Sequence, residues 1–403
     1  MVGMCRNGTI TKGKRDICAV LIRLPVQGSA AANPQGFPGK GIMKNVEITR
    51  HEAGAPVSFT LDYHDESGKG LKILQLTDTQ TIDLSAVRNE TRNSQIRGVY
   101  FPDGNCSMED LCYRHIREAV RRTEPDLILL TGDNVYGELD DNGTMLLELR
   151  TLMDSFRIPW AAIFGNHDNE SMRGVRWQQK ILAEAEYGLF APGNVTGNCN
   201  YSLLLRLNGS AEYLIYMMDS CGCRYIGNPG APGEGLLKEN PDYALITQEE
   251  GIFPDQTAWY AESAARVFAM EGKKIPQIAC MHIAPHIFHT AYLEKYHADA
   301  SKHGISVETN EGRDNGYVVE AGPYLPDRDD SFFRTAKELG LRAILVGHDH
   351  NNASCVYYEG VALVFGLKTG YVTYQPRPRH VGGTLLTLRA GMDEPEVTPI
   401  VTG

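Results

Sequence analysis

The chain has 403 residues, of which 42% are hydrophobic, enough for one large α/β domain with a substantial core. Acidic residues outnumber basic ones by 50 to 39, and the basic residues are scattered, which excludes an evident stripe for binding nucleic acid or an anionic membrane surface. No apolar stretch approaches the roughly twenty residues of a membrane span, so we do not expect an integral membrane protein.

The first part of the chain differs in character from the rest. Residues 1–42 loosely resemble a secretory signal, but Arg23 interrupts the apolar run. We interpret 1–42 as a disordered or misassigned extension and 43–403 as a single domain. Nine cysteines without framework spacing predict free thiols and a cytoplasmic location. Recurrent Asn-x-Ser/Thr sequences, beginning with Asn7, leave a secreted form open.

Short apolar runs alternate with helical stretches along the chain, and this pattern is typical of a layered α/β fold. Alternation of apolar and polar residues over 45–63 predicts edge strands. Further strands are predicted at 72–77, 126–131, 160–164, 213–218, 277–281, 343–346, 361–365 and 384–388. Helices are predicted at 107–122, 144–156, 254–271 and 331–339. We expect the long connections 221–254 and 283–330 to be loops that shape a pocket.

Polar residues gather at the ends of the predicted strands. They are Asp78, Asp133, Asn166, His282 and the pair His348 and His350. Because strands that end on one edge of a sheet bring their final residues together there, we expect these side chains to converge. Singly, each has an ordinary explanation as a turn, cap or surface residue, but together they indicate a functional site.

Five short motifs occur in a fixed order. They are Asp78-Thr79-Gln80, Gly132-Asp133-Asn134, Gly165-Asn166-His167-Asp168, His282 with Pro285, and Gly347-His348-Asp349-His350. Over about residues 72–350 this order resembles the calcineurin-like metallophosphoesterase superfamily. The resemblance implies a four-layer α/β/β/α sandwich, a pair of metal ions, and hydrolysis of a phosphate ester by a metal-bound hydroxide.

The chemistry of these residues is consistent with two metal sites. The carboxylate of Asp133 can bridge two cations about 3.5 Å apart. Asn166, His282 and His348 complete one mixed oxygen and nitrogen set around it, suited to manganese, zinc or iron rather than calcium. The other set has Asp78, Asp133 and His350.

This second set departs from the common family pattern, which has a His where this chain has Gln80, a poorer ligand for a transition metal. Tyr136 lies three residues after Asp133, and the purple acid phosphatase branch, which this chain resembles, uses a tyrosine ligand and lacks that His. A phenolate ligand, with a free pKa of about 10, favours Fe(III). We therefore expect two metal ions, Fe(III) with a divalent Fe, Mn or Zn; a merely packed tyrosine is the alternative.

Other residues are candidates for catalysis and substrate binding. By resemblance, His167 contacts the phosphate or protonates the leaving oxygen, and Asp168 lies nearby to orient it. His286, together with His289, begins the second long connection and is a candidate for substrate contact; the alternative is that both are simply solvent-exposed histidines. No G-x-S-x-G nucleophile motif is present.

The resulting hypothesis is a phosphatase that hydrolyses a phosphate monoester of a small molecule or a phosphoprotein. A phosphodiesterase on the same scaffold is the nearest alternative. An inactive metal-binding interaction module is a third, motivated by Gln80. No groove for nucleic acid and no membrane partner are expected.

Overall fold

The computed structural model describes residues 20–23, 45–65, 68–83, 85, 107–140, 142–223, 240–297, 307–319, 330–374, 377, 379–389 and 391–403. These residues form one sheet of 11 strands and one of 6 strands. The two sheets pack face to face, and helices cover their outer faces. The predicted four-layer α/β/β/α architecture is confirmed.

The strands are numbered in chain order. They are β1 (Val20–Arg23), β2 (Asn45–Arg50), β3 (Phe59–His64), β4 (Leu71–Leu76), β5 (Leu127–Thr131), β6 (Trp160–Ile163), β7 (Gly188–Leu189), β8 (Tyr201–Leu207), β9 (Ser210–Met217), β10 (Gln277–Cys280), β11 (Val307–Glu308), β12 (Asn315–Val318), β13 (Leu341–Val346), β14 (Ala353–Tyr358), β15 (Val361–Phe365), β16 (Gly382–Leu388) and β17 (Glu396–Val401). The α-helices are α1 (Arg114–Thr123), α2 (Thr144–Ser155), α3 (Val175–Ala183), α4 (Pro254–Glu271), α5 (Ile287–Tyr296) and α6 (Ser331–Leu339).

Parallel strands form the centre of each sheet. The smaller sheet has the order β17-β16-β4-β5-β6-β7, with β4 to β7 parallel. The larger has the order β1-β2-β3-β8-β9-β10-β13-β15-β14-β12-β11, with β9, β10, β13 and β15 parallel. All residues of β5 are buried, as expected for a strand covered on both faces. The carboxyl ends of these central strands carry the candidate site.

Buried polar side chains connect the two sheets. Gln75 Nε2, in β4, donates to Val346 O, in β13, at 3.0 Å. The hydroxyl of Tyr201, in β8, donates to Ala162 O at 2.7 Å and accepts from Ala162 N at 3.0 Å. Strand β7 ends opposite Ala161 and does not pair with Ala162, the next residue of β6. The hydroxyl of Tyr201 takes the place of β7 as the hydrogen-bond partner of Ala162. Such bonds fix the position of one sheet relative to the other because unpaired buried polar groups are costly.

Most predicted helices are present with small shifts. Helices α4 and α6 have the predicted bounds. The stretch predicted at 107–122 begins as a π-helical segment, Glu109–Tyr113, and continues as α1 to Thr123. Helix α3 was not predicted, because no glycine marks its end, whereas Gly340 marks the end of the equally short α6.

Two stretches of the chain contain regular structure that the sequence did not predict. Within 1–42, Val20–Arg23 pairs antiparallel with β2, so these 4 residues form a strand, while the rest of that segment lies outside the described residues. The connection 283–330 contains α5, β11 and β12 as well as loop. Helix α5 forms there because Ile287, Phe288, Ala291 and Tyr292 bury one face against the larger sheet.

We predict that Tyr201→Phe lowers the free energy of unfolding by about 1–3 kcal/mol, because it leaves the buried N–H and C=O of Ala162 without their partner. Urea denaturation would measure the loss. The matched control is Tyr358→Phe, whose hydroxyl bonds Glu294 at the surface, and it should change stability little. Equal stability of the two variants would contradict a structural role for Tyr201.

Candidate metal centre

The candidate centre lies where the parallel strands of both sheets end. The residues that follow these strands are Asp78 after β4, Asp133 after β5, Asn166 after β6, His282 after β10, and His348 and His350 after β13. The structure therefore brings together the residues that the sequence singled out. They come from two facing sheets, however, and not from one edge of a single sheet as expected.

Two groups of side chains have the geometry to hold a metal ion. Asp133, His282 and His348 form one, and Asp78, Asp133 and His350 form the other; the ligand atoms within each group lie within 4.8 Å of one another. His282 Nε2 is 3.2 Å from Asp133 Oδ1, and His350 Nε2 is 3.2 Å from Asp78 Oδ1. Asp133 belongs to both groups, as a bridging carboxylate must.

Asn166 adjoins the first group. Its Oδ1 lies 2.9 Å from His348 Nδ1, and the side chain is buried. A neutral amide oxygen in this position adds a ligand without adding charge. The first group with Asn166 therefore contains the same four residues as the set interpreted from the sequence.

The electrostatics of these residues fit a bound cation. His282 Nδ1 lies 2.9 Å from Thr131 O and donates to it, which leaves the fully buried Nε2 as an acceptor with no hydrogen-bond donor facing it. Burial would lower the pKa of His282, but the carboxylates of Asp133 and Asp78 raise it to about 10. The two carboxylates thus favour positive charge at the centre, and a bound metal ion would supply it.

Backbone strain marks the same positions. Asp78, Asp133 and His348 have φ values of 51°, 50° and 70°, in the left-handed region that costs non-glycine residues about 1–3 kcal/mol each. Hydrogen bonds hold them there. His348 N donates to Asp78 Oδ2 at 3.1 Å, and His167 N donates to Asp133 Oδ1 at 2.8 Å. Stored strain of this kind is typical of functional sites.

Two motif glycines are required by close approach. A Cβ at Gly165 would lie 2.3 Å from Asp133 Oδ1. A Cβ at Gly132, where φ is 91°, would lie 2.5 Å from His282 Nδ1. Only glycine allows the turns after β5 and β6 to pass this close to the centre.

His167 lies at the centre, but its orienting partner is Glu170 and not Asp168. His167 Nδ1 is 2.7 Å from Glu170 Oε2, and His167 Nε2 is 4.0 Å from Asp133 Oδ2. His167 caps the 3₁₀ turn Asp168–Glu170, and residues three apart on such a turn lie on the same face. This spacing between His167 and Glu170 is the signal that sequence reasoning missed.

The carboxylate of Asp168 has a different role. Its Oδ2 accepts from Gly165 N at 2.7 Å and from Asn134 N at 3.2 Å, and its Oδ1 accepts from Val135 N at 3.0 Å. Asp168 therefore holds two motif loops together. The prediction that it orients His167 is wrong, because both its oxygens are directed at these backbone amides.

Tyr136 lies beside the centre. Its side chain is 1% exposed, and its ring stacks on that of His167 with centroids 4.2 Å apart and planes at 23°. This position is compatible with either a ligand or a packed aromatic residue. Its role as a ligand stays a prediction.

The predicted substrate-binding histidine lies at the start of α5. His286 Nδ1 is 3.7 Å from Asp330 Oδ2, and its ring centroid is 5.6 Å from that of His289. The residue is partly exposed and is not a member of either metal-binding group. Substrate contact by His286 stays a prediction.

Sequence reasoning missed a buried polar network behind the second group. Gln80 Nε2 donates to Asp133 Oδ2 at 3.1 Å, so Gln80 bonds the shared carboxylate. Its Oε1 accepts from Lys368 Nζ at 3.2 Å and from Thr373 Oγ1 at 2.7 Å. Both partners lie almost 300 residues away in sequence, and no local pattern could have indicated them.

The two-sheet fold, with two Asp and His groups that share one carboxylate, defines a metal-binding protein of the metallophosphoesterase fold. The family model described as calcineurin-like phosphoesterase matches residues 71–352. The chain belongs to this family. Its predicted membership is confirmed.

Named relatives include phosphatases and proteins called inactive. Probable inactive purple acid phosphatase 29 of Arabidopsis thaliana is 26% identical over 62% of this chain and 61% of its own length. Phosphatase DCR2 of Saccharomyces cerevisiae is 26% identical over 71% and 47%. An uncharacterized protein of Schizosaccharomyces pombe is 30% identical over 56% and 39%. This chain thus spans less than two thirds of the length of each.

Solved structures of phosphatases also align with the chain. A purple acid phosphatase from yellow lupin seeds aligns over 86% of this chain and 55% of its own, with 11% identity and a TM-score of 0.42. A dimetal phosphatase from Danio rerio aligns over 82% and 98%, with 10% identity and a TM-score of 0.40. At these identities the alignments say nothing about substrate. Separately, no helix within the described ranges has both the length and the apolar character needed to cross a membrane.

We predict that Asp133→Ala abolishes binding of both metal ions, because its carboxylate belongs to both groups, while the fold persists. Equilibrium dialysis against Mn²⁺ followed by metal analysis would measure the stoichiometry, and circular dichroism would check the fold. The control is Asp110→Ala, an exposed aspartate that belongs to neither metal-binding group, which should bind metal normally. A variant that still binds two ions per chain would refute the shared carboxylate.

Proposed function

We propose that this protein is a binuclear-metal phosphatase that hydrolyses phosphate monoesters of a small molecule or a phosphoprotein. One observation carries the proposal: two metal-binding groups share Asp133, and His167 faces the same carboxylate with its ring bonded to Glu170. This arrangement supports an oriented acid beside a paired-cation centre. Family membership supports phosphoester chemistry in general.

We assign the ligands as the two predicted sets. They are Asp133, Asn166, His282 and His348 for one ion, and Asp78, Asp133, Tyr136 and His350 for the other. Bound metal ions supply Lewis acidity that activates a water molecule and neutralises charge on the phosphate. Burial lowers the pKa values of His348 and His350 to about 3 and about 4, so both rings are neutral at pH 7 and able to bind a metal.

His167 is proposed as the acid that protonates the leaving oxygen. Its Nδ1 is held by Glu170, which leaves Nε2 directed toward the centre. The proton moves from Nε2 to the oxygen of the departing alcohol as the bond from that oxygen to phosphorus breaks, and the ring becomes neutral. The buried Glu170 carboxylate stabilises the protonated ring before transfer and fixes its orientation.

Tyr136 is proposed as the ligand that selects the metal pair. It follows the shared Asp133 by three residues, is buried, and stacks on His167 at the centre. As a phenolate it favours Fe(III), with a divalent Fe, Mn or Zn in the other site. Asp78, Asp133 and Tyr136 then contribute three negative charges, so the five positive charges of the metals leave a cationic centre for phosphate.

A cytoplasmic location is also proposed. The six described cysteines are all buried free thiols, as a reducing compartment requires. Three Asn-x-Ser/Thr sites, at Asn169, Asn200 and Asn352, have buried side chains. Glycans cannot be attached there in the folded protein, which removes part of the support for a secreted form.

Parallel assays separate the proposal from its alternatives. The metal-reconstituted protein would be tested on p-nitrophenyl phosphate and bis(p-nitrophenyl) phosphate. Preference for the monoester supports the proposal, and preference for the diester indicates a phosphodiesterase. Two bound metals with no turnover of either would identify an inactive metal-binding module, consistent with relatives named probable inactive.

We predict that His167→Ala lowers kcat about 10²- to 10⁴-fold on an alkyl phosphate while metal content stays normal, because the alkoxide leaving group needs the proton. The loss should be smaller on p-nitrophenyl phosphate, whose leaving group needs little protonation. Glu170→Gln should show the same dependence on leaving group with a smaller loss.

The control for these variants is Glu184→Gln, which replaces an exposed glutamate remote from the centre and should leave kcat unchanged. Loss of metal from His167→Ala, or equal losses on both substrates, would show that its role is misassigned.

We predict that the iron-loaded, aerobically purified protein is coloured by charge transfer from the Tyr136 phenolate to Fe(III), and that Tyr136→Phe bleaches it. Absorption spectra at matched iron content would measure the change. Tyr358→Phe, remote from the centre, should keep the colour. A colourless wild type whose Tyr136→Phe variant binds iron normally would rule out this ligand.

A further inference from the structure

Gln80 occupies the position where the sequence suggested a weakened metal site, but its amide is fully engaged. Nε2 donates to Asp133 Oδ2, and Oε1 accepts from Lys368 and Thr373. The amide cannot be reversed, because the lysine nitrogen only donates in this contact and a carboxylate only accepts. Its lone pairs are therefore used within the protein, which points to a role other than binding metal.

The hydroxyl of Thr373 determines the tautomer of His350. Its single proton is donated to Gln80 Oε1, at 2.7 Å, because an amide oxygen has no proton to give. The contact of 3.0 Å between Thr373 Oγ1 and His350 Nδ1 must then be donated by the ring. His350 therefore carries its proton on Nδ1. Its Nε2 lone pair faces the second metal-binding group.

Lys368 anchors this chain of bonds. The side chain is 1% exposed, and Nζ donates to Asp78 O at 2.9 Å and to Gln80 Oε1 at 3.2 Å. An amine has at least two N–H bonds in either protonation state, so both contacts persist whether or not Lys368 is charged. A backbone bridge between Thr77 and Lys368 fixes the lysine against the strand end that carries Asp78.

The backbone of Thr373 is strained where its hydroxyl makes these contacts. Its φ is 67°, a left-handed conformation that is a genuine outlier for a β-branched residue and costs about 1–3 kcal/mol. The surroundings hold Thr373 in this conformation, where one hydroxyl reaches both Gln80 and His350. The strain is an observation independent of the hydrogen bonds, and it marks the residue as functionally constrained.

We infer that Lys368, Gln80 and Thr373 form a positioning relay, which keeps His350 in the tautomer that can bind metal and orients the shared carboxylate of Asp133. Gln80 is thus a positioning residue and not a ligand. This inference rests on the proposed metal centre. It explains how the second site functions without the histidine that other members of the family have at this position.

The relay predicts the effect of removing each part. Without an acceptor at Nδ1, the ring favours the tautomer with the proton on Nε2, because Asp78 Oδ1 lies 3.2 Å away and accepts it. That proton blocks metal binding by His350. Thr373→Val has this effect by removing the hydroxyl. Gln80→Met has the same effect for a different reason. The hydroxyl of Thr373 then has no amide oxygen to bond and can donate to Nδ1 of His350, which must carry no proton to accept it.

Nitrogen-15 NMR of the histidine rings in the metal-free protein tests the relay directly, with the signal of His350 assigned from its absence in His350→Gln. We expect the proton on Nδ1 in the wild type and in Thr373→Ser, and on Nε2 in Thr373→Val and Gln80→Met. The control is Thr123→Val, a buried hydroxyl in α1 that bonds only its own helix, and it should match the wild type. A wild-type ring protonated on Nε2 would overturn the inference.

Zinc titration provides the second readout. Thr373→Val and Gln80→Met should lose about 10- to 100-fold in affinity at one of two sites, and Thr373→Ser should restore it. Wild-type affinity at both sites in both variants would refute the relay. If the variants change the tautomer of His350 as expected but the wild type hydrolyses no phosphate ester, the relay stands and the proposed function fails. If the wild type is an active phosphatase but the variants leave the tautomer unchanged, the relay fails and the proposed function stands.

Discussion

The carboxylate of Asp133 lies almost wholly buried between two β-sheets, and groups from both sheets contact it. His167 N and Gln80 Nε2 donate to its oxygens from the smaller sheet, and His282 Nε2 approaches within 3.2 Å from the larger one. A buried charge costs several kcal/mol unless it is compensated. The hydrogen-bond donors and His282 supply that compensation, and the glycines that permit close approach allow these groups to reach Asp133.

This constraint explains why the chain builds a site on short turns directly attached to strands. Each candidate ligand follows a buried strand by two to five residues, so its position is inherited from the rigid sheet. Precision of this kind is what a pair of metal ions requires, because ligands must be held to within about 0.5 Å. The strain at Asp78, Asp133 and His348 follows from turning the chain sharply so that these side chains or their neighbours face the centre.

The net charge of the protein bears on how the proposed centre would bind a phosphate ester. The chain has a formal net charge of −11, so it does not attract a phosphate ester through its overall field. In the proposed function the attraction has to be local, and the proposed paired-metal centre would provide it. Lys368 adds a buried amine that donates to the backbone carbonyl of Asp78. The residues that surround the shared carboxylate therefore orient ligands and balance charge at once.

The sequence alone determined most of the central parallel strands, the family and the ligand candidates, because strand periodicity and the order of the motifs are local properties of the chain. The bounds of α4 and α6, with proline at the start of one and glycine at the end of both, show how strong such local signals are. Tertiary structure decided what each neighbouring side chain contacts. Glu170 displaced Asp168 as the partner of His167 because a 3₁₀ turn, invisible in the motif, brings it to the ring.

Gln80 is a clearer example of the difference between what the sequence and the tertiary structure each determine. Its identity suggested a missing ligand, but its role depends on Lys368 and Thr373, which only folding brings within hydrogen-bond distance. Likewise, the sequence placed the candidate ligands at strand ends. Only the packing of the two sheets brings the aspartates and Asn166 of the smaller sheet opposite the histidines of the larger one. Local sequence specifies which groups are available, and long-range packing specifies their partners, because hydrogen bonds depend on distance in space and not along the chain.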